Sequence, residues 1–124
     1  MRRQAPPTEL DTAQRKMSAK LIYMTAADSD EAFRISETLV AEKLIACANV
    51  LGAMQSVYRW EGAVQRGEEV AVLLKTREEL VDQVLTRAAT LHSYDCPCLV
   101  VLDVTGGHAP FLGWIQTETD AEDE

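Results

Sequence analysis

The stretch Val57-Tyr58-Arg59-Trp60-Glu61-Gly62, followed after a polar gap by Glu69-Val70-Ala71-Val72-Leu73-Leu74-Lys75-Thr76-Arg77, constrains the fold more than any other part of the chain. Both runs are rich in aromatic, β-branched and apolar residues, and glycines bound the gap between them, so they read as two strands of one hairpin. The first strand begins upstream, in the small apolar run Ile45-Ala46-Cys47-Ala48-Asn49-Val50-Leu51, and resumes through Met54 to Trp60. Gly52 interrupts it as a bulge or bend. The turn is expected over 61–66 and the return strand over 69–76. Strands of about 12–15 residues exceed the usual five or six. Such an overhang must pair beyond its own small sheet, and a second copy of the chain is the simplest partner.

The remaining elements surround this hairpin. Leu21-Ile22-Tyr23-Met24-Thr25-Ala26 is a short apolar strand. Asp28-Ser29-Asp30-Glu31 supplies N-cap candidates and first-turn acid, which suit a helix N-terminus. Ala32, Ile35, Leu39 and Leu44 follow at near-helical spacing, so a helix is expected from about Ser29 to Lys43. After the hairpin, Arg77-Glu78-Glu79 opens a second helix whose apolar face is Leu80, Val84, Leu85, Ala88 and Leu91, ending near His92. Pro97 disfavours helix at Cys96, so 93–97 is a loop. Residues 98–104 read as a fourth strand and 109–116 as a short terminal helix. The order is β-α-β-β-α-β-α. Its natural closure is an α+β fold of the split β-α-β, ferredoxin-like kind, with two helices on one sheet face.

Size and charge narrow the partners. A chain of 124 residues, 47% of them hydrophobic, supports one domain with a real core. A net charge of −8 argues against nucleic acid, which needs a basic face. No run is long and apolar enough for a membrane span. Residues 1–18 are expected to be a disordered leader, 19–118 the folded domain, and 119–124 an acidic tail. The three cysteines, Cys47, Cys96 and Cys98, are an odd number in a chain able to fold without disulfides, which fits a reducing cytoplasm.

Five ordered segments resemble one family. Ala41-Glu42-Lys43-Leu44-Ile45-Ala46-Cys47-Ala48-Asn49 is similar to the "EEKLAACVN" segment of the CutA divalent-cation tolerance proteins, and Ser56-Val57-Tyr58-Arg59-Trp60-Glu61-Gly62 to their "SIYWWEG". Leu74-Lys75-Thr76-Arg77 matches their strand end, His92-Ser93-Tyr94-Asp95-Cys96-Pro97 resembles "HPYEVP", and Phe111-Leu112-Gly113-Trp114-Ile115 resembles "YLxWI". The resemblance covers nearly all of 21–118. It implies a compact homotrimer of ferredoxin-like subunits held by long hairpins, similar in architecture to PII signalling proteins, with a role in divalent-metal, chiefly copper, tolerance.

The departures bear on any metal site. Where family members commonly carry Cys-Thr at the end of the first strand, this chain has Met24-Thr25. Where they carry Pro-Glu after the loop, it has Pro97-Cys98, and a histidine that can precede the loop histidine is Leu91. The remaining donors are soft: Met24, His92, Cys96 and Cys98. Sulfur and imidazole donors select Cu(I) or Zn over hard cations. Weak copper or zinc binding is expected, with no metal required for folding. Cys96 is the reachable one, in the loop; the other donors also have a plain structural role, Met24 and Cys98 as core residues, like Cys47, and His92 as a helix-end residue.

Lys75, Tyr58, Trp60, Tyr94 and Trp114 form the second candidate set, a cleft between subunits for an anionic metabolite, as in a PII-like sensor. Tyr58, Trp60 and Trp114 serve equally as seam aromatics, and Lys75 as a lysine with its stem along apolar surface. No phosphate loop, C-x2-C zinc pair or catalytic set stands out, so the chain is expected to be a non-enzyme. The leading expectation is a trimeric metal-tolerance protein. The others are the metabolite sensor and a stable trimeric assembly platform.

Overall fold

The computed structural model describes residues 18–120. All of the expected leader but Ser18, and most of the expected acidic tail, lie outside those residues. In chain order the elements are β1 (Ala19–Ala26), α1 (Ser29–Ala41), β2 (Cys47–Trp60), β3 (Ala63–Arg77), a single 3-10 turn (Glu78–Leu80), α2 (Val81–Leu91), β4 (Leu99–Asp103) and α3 (Ala109–Glu118). The four strands form one sheet in the order β2-β3-β1-β4, with every neighbouring pair antiparallel. The ferredoxin-like order expected from the sequence is present.

Side-chain alternation along the strands divides the sheet into two unlike faces. On one face Ile22, Met24 and Ala26 of β1 and Val70, Val72 and Leu74 of β3 meet Ala32, Ile35 and Leu39 of α1 and Val84 and Ala88 of α2. These are the helix stripes expected from the sequence. On the other face the register aligns Cys47, Lys75, Leu21 and Leu102 in one row, and Asn49, Leu73, Tyr23 and Val100 in the next. Helix α3 covers only a corner of this face, where Ile115 and Leu112 meet Ala19, Ala46 and Val104.

The hairpin differs from expectation at its tip. The turn is only Glu61-Gly62, at φ 51° and 82°, and pairing resumes at once with Trp60 opposite Ala63. Positive φ at both central residues is the twist of a two-residue type I′ hairpin turn, and glycine at the second position adopts it freely. Residues 63–68 are therefore strand. Gly67 does not break that strand, because it lies opposite Ser56 and beneath Tyr58. A Cβ there would stand 3.3 Å from the Tyr58 hydroxyl, so the ring would have to give by a few tenths of an ångström to admit it. The register slips between Leu51 and Ala53, which places the expected bulge at Gly52.

Helix α1 stops at Ala41, two residues before the expected end. Lys43 turns left-handed at φ 62°, its N–H donates to Val40 O at 3.0 Å, and Leu44 N–H donates to Leu39 O at 3.0 Å. This paired closure satisfies the last carbonyls and turns the chain into β2. At the other end, the folded domain continues past Glu118. Thr119 is buried, and its hydroxyl and carbonyl accept from Arg77 at 2.9 and 3.1 Å.

Candidate functional site

The N-terminus of α1, the end of β1, the loop after α2 and the middle of β3 meet in one polar cluster. Asp28 caps α1 by accepting from Glu31 N–H at 2.9 Å. The Glu31 carboxylate reaches back to accept from Ala27 N–H at 3.0 Å, and its second oxygen accepts from Ser93 N–H at 2.6 Å. A buried carboxylate is tolerable only with such donors. Burial pushes the Glu31 pKa up, but the hydrogen bonds from Ala27 and Ser93, with His92 alongside, outweigh it and hold the carboxyl below its ordinary range.

His92, the C-cap of α2, has a fully enclosed side chain. Its Nδ1 accepts from Tyr94 N–H at 3.1 Å, so the lone pair sits there. Its Nε2 lies 2.7 Å from the Thr25 carbonyl oxygen, an acceptor only, so the ring donates from Nε2. Both nitrogens are thus committed to the backbone. The Tyr94 ring lies against the imidazole at 4.7 Å, and its hydroxyl donates to Glu69 at 2.9 Å. The other Glu69 oxygen accepts from Ser56 at 2.7 Å. Burial first, then the bond to Glu69 and the charges of Glu69 and Glu31, push the Tyr94 phenol up to about 12.

Of the soft donors, Met24 is fully buried in the helix-covered core and His92 is enclosed as described. Cys96 is exposed in the loop, and Cys98 is half-buried just ahead of β4. All three cysteines are free. Among the described residues, no group of three or more His, Cys, Asp or Glu side chains is placed to hold a metal ion.

The second set divides similarly. Tyr58 and Tyr94 come together near Glu69. Lys75 lies six positions further along β3, about 20 Å away at strand rise, where it donates to Asn49. Trp60 stands exposed at the hairpin tip, and Trp114 stacks on Phe111 at 5.7 Å on α3. One subunit does not gather these five residues into a cleft. The residues that bind the cluster together, Glu31, Glu69, Ser56 and Ser93, were not among the candidates. Asp28-x-x-Glu31 has the spacing of a capping box, a signal that could have marked Glu31. Glu69 carries no comparable local signal.

Fold and site define a class: a ferredoxin-like α+β subunit with an overlong hairpin, a half-bare sheet and a thiol-bearing loop clasped by buried polar groups. The family model of the CutA1 divalent ion tolerance protein matches residues 20–118, and the chain belongs to that family. It is 38% identical over 99 residues to the divalent-cation tolerance protein CutA of Pyrococcus horikoshii, covering 80% of this chain and 96% of that one. It is 34% identical to the chloroplastic protein CutA 1 of Oryza sativa subsp. japonica over 80% of this chain, and spans 56% of that relative's length. It spans 60% of the chloroplastic Arabidopsis thaliana relative. Among solved structures, CutA from Xylella fastidiosa superposes with a TM-score of 0.81 at 37% identity, covering 83% of this chain and 99% of that one. CutA1 from Oryza sativa superposes at 0.82 and 32% identity, covering 86% and 98%. The family is named for tolerance of divalent ions and not for a reaction.

No helix among the described residues is long and apolar enough to cross a membrane. The relatives from Oryza sativa and Arabidopsis thaliana are named chloroplastic, and the CutA of Archaeoglobus fulgidus is named periplasmic.

Proposed function

We propose that this chain acts in divalent-cation tolerance, copper foremost, as a homotrimer that binds the ion weakly and catalyses no reaction. The observation that carries the reading is the family match across residues 20–118, nearly the whole described domain. The bare sheet face supports assembly: Leu51, Val100 and Leu102 are each 44–48% exposed there, beside a hairpin whose tip overhangs the sheet. Apolar area of this kind is stabilised by a second copy. Neither copper nor zinc is needed to fold the subunit, whose core is apolar and closed by the helices. The three free thiols suit a reducing cytoplasm.

An anionic metabolite is the rival ligand. The polar cluster weighs against it, because its one cation among the described residues, Arg34, is already paired with Glu31 and bonded to the Leu91 carbonyl, its carboxylates Glu31 and Glu69 would repel an anion, and the one lysine of the candidate cleft is bonded elsewhere. The test is complementation of a copper-sensitive strain lacking its own tolerance protein, with light scattering on the purified chain. Restored growth on copper and a three-subunit mass are expected. A monomeric protein that leaves growth unrestored ends the proposal.

A further inference from the structure

We infer that residues 8–17, the segment ahead of β1, pack along the outer face of α3 and brace that helix against the subunit. The inference is independent of the tolerance reading. Three observations carry it. The first is an apolar surface left open. Helix α3 is apolar on two sides. Leu112 and Ile115 face the corner of the sheet, whereas Phe111 and Trp114 stack on each other outside it and remain 42% and 40% exposed. Glu118 continues this outer stripe one turn beyond Trp114 and is exposed. A helix apolar on more than one side suits a place between two layers.

The second observation is where the segment joins the fold. The Ser18 carbonyl accepts from Glu78 N–H at 2.9 Å, and the next residue, Ala19, packs on Ile115. Ala19 is also paired with Arg77, the residue that holds Thr119. Residues 1–17 therefore leave the sheet at the C-terminal end of α3. The family match begins at residue 20, so the shared domain does not fix where they go. Along α3, Phe111 stands about 12 Å from Thr119 at helical rise. Leu10 is the same number of residues from Ser18 as Phe111 is from Thr119, so a helical segment reaches the whole stripe.

The third is the pattern of the segment itself. Leu10, Ala13 and Met17 repeat the i, i+3, i+7 spacing of Phe111, Trp114 and Glu118. Thr8 and Asp11 have the spacing of a capping box ahead of that stripe. Two parallel helices ending at one corner set Leu10 beside Phe111 and the small Ala13 beside the large Trp114. Arg15 and Lys16 then fall near Glu118. Residues 1–17 carry four basic and two acidic side chains, a net +2 within a chain of net −8, so the charge of the body attracts them. A helix of about ten residues is marginal alone in water. Composition by itself therefore reads as a disordered leader, and an apolar face is what lets such a segment order.

The test is acrylamide quenching and the emission maximum of Trp114 in the full chain carrying Trp60→Phe, which leaves Trp114 as the only tryptophan. Light scattering and far-UV circular dichroism on each variant report mass and fold. In the full chain Trp114 should be shielded and emit to the blue. Removal of residues 2–17 should raise its quenching and move its emission to the red at an unchanged assembled mass. Leu10→Asp in the intact chain should do the same without altering chain length. Equal quenching in the intact and shortened chains overturns the brace: shielded in both, Trp114 is covered by a second copy, and open in both, it has no cover. A folded Leu10→Asp chain as shielded as its parent overturns it as well. So does opening of Trp114 that comes with a fall in mass, because the segment then acts on assembly and not on its own α3.

Discussion

The two faces of one sheet have opposite fates. On the helix-covered face, Ile22, Met24, Val72 and Leu74 are excluded from solvent by α1 and α2. On the reverse face, Val100 and Leu102 alternate with them along paired strands and remain nearly half exposed. The residues on both faces are apolar and stand on neighbouring strands, β1 and β3 for the covered set and β4 for Val100 and Leu102. What differs is whether the chain supplies a cover. The covered face holds the subunit together, and in the proposed trimer the bare face is the area that meets another copy. Substitutions on the first should therefore act on subunit folding, and those on the second on assembly.

The largest effect belongs to the covered face. Leu74 lies between Ile22 and Ala48 in the register, with no exposure. Leu74→Ala should cost about 2–5 kcal/mol, the range for a cavity in a close-packed core. Denaturant unfolding should show the loss with little change in the assembled mass of the folded fraction. The next largest belongs to the bare face. Leu102→Asp should forfeit up to about 2 kcal/mol of burial per subunit in an assembly and add repelling charge. Light scattering should show smaller species while circular dichroism keeps the signature of the folded subunit. An unchanged mass would mean that the assembly seam lies elsewhere, and the contrast between the faces would fail.

The sequence disclosed the covered face more completely than the bare one. The stripes Ala32-Ile35-Leu39 and Val84-Ala88 have helical spacing, and helical spacing is local. The reverse face also reads as apolar, but sequence spacing cannot show which side the helices choose; that is a matter of topology. The hairpin was legible as an overlong arm and Gly52 as its bulge, whereas the turn was drawn too long. The cause is Gly67: it resembles a turn residue but is a strand glycine roofed by Tyr58. Among candidate site residues, Tyr94 bonds a partner, Glu69, that carries no local signal. Its hydrogen bonds join positions 13 and 25 residues apart. His92 was legible as a helix-end residue, but the Thr25 carbonyl that accepts from its ring lies 67 positions away.

The polar cluster sharpens the comparison, because it joins the end of β1 to the loop that enters β4, the strand at the bare edge. Glu31→Gln removes the charge that accepts from Ala27 and Ser93, and should cost about 1–3 kcal/mol near neutral pH. The cost should depend on pH in a definite direction. Folding lowers the Glu31 pKa below its ordinary 4.5, so the unfolded chain takes up the proton first as pH falls. Its contribution is complete above that ordinary value and is lost as pH falls through the lower folded value. Unfolding curves of wild type and variant, separated at pH 7, should therefore converge in acid. Curves that remain equally separated at pH 3 would assign the Glu31 effect to packing and not to charge.

The smallest effect should come from Tyr94→Phe. It keeps the ring against His92 and removes only the hydroxyl that donates to Glu69. Glu69 retains Ser56 as a donor, and its strand is open enough for water to replace the other. The net loss should be about 0.5–1.5 kcal/mol, an ordinary hydrogen bond. Its location is more informative than its size. The bond ties the loop before β4 to the middle of β3, so its loss should raise amide hydrogen exchange at 93–98 while leaving α1 and α2 protected. Accelerated exchange throughout the helices would mean that the clasp supports the covered core as well, and that loop and core open together.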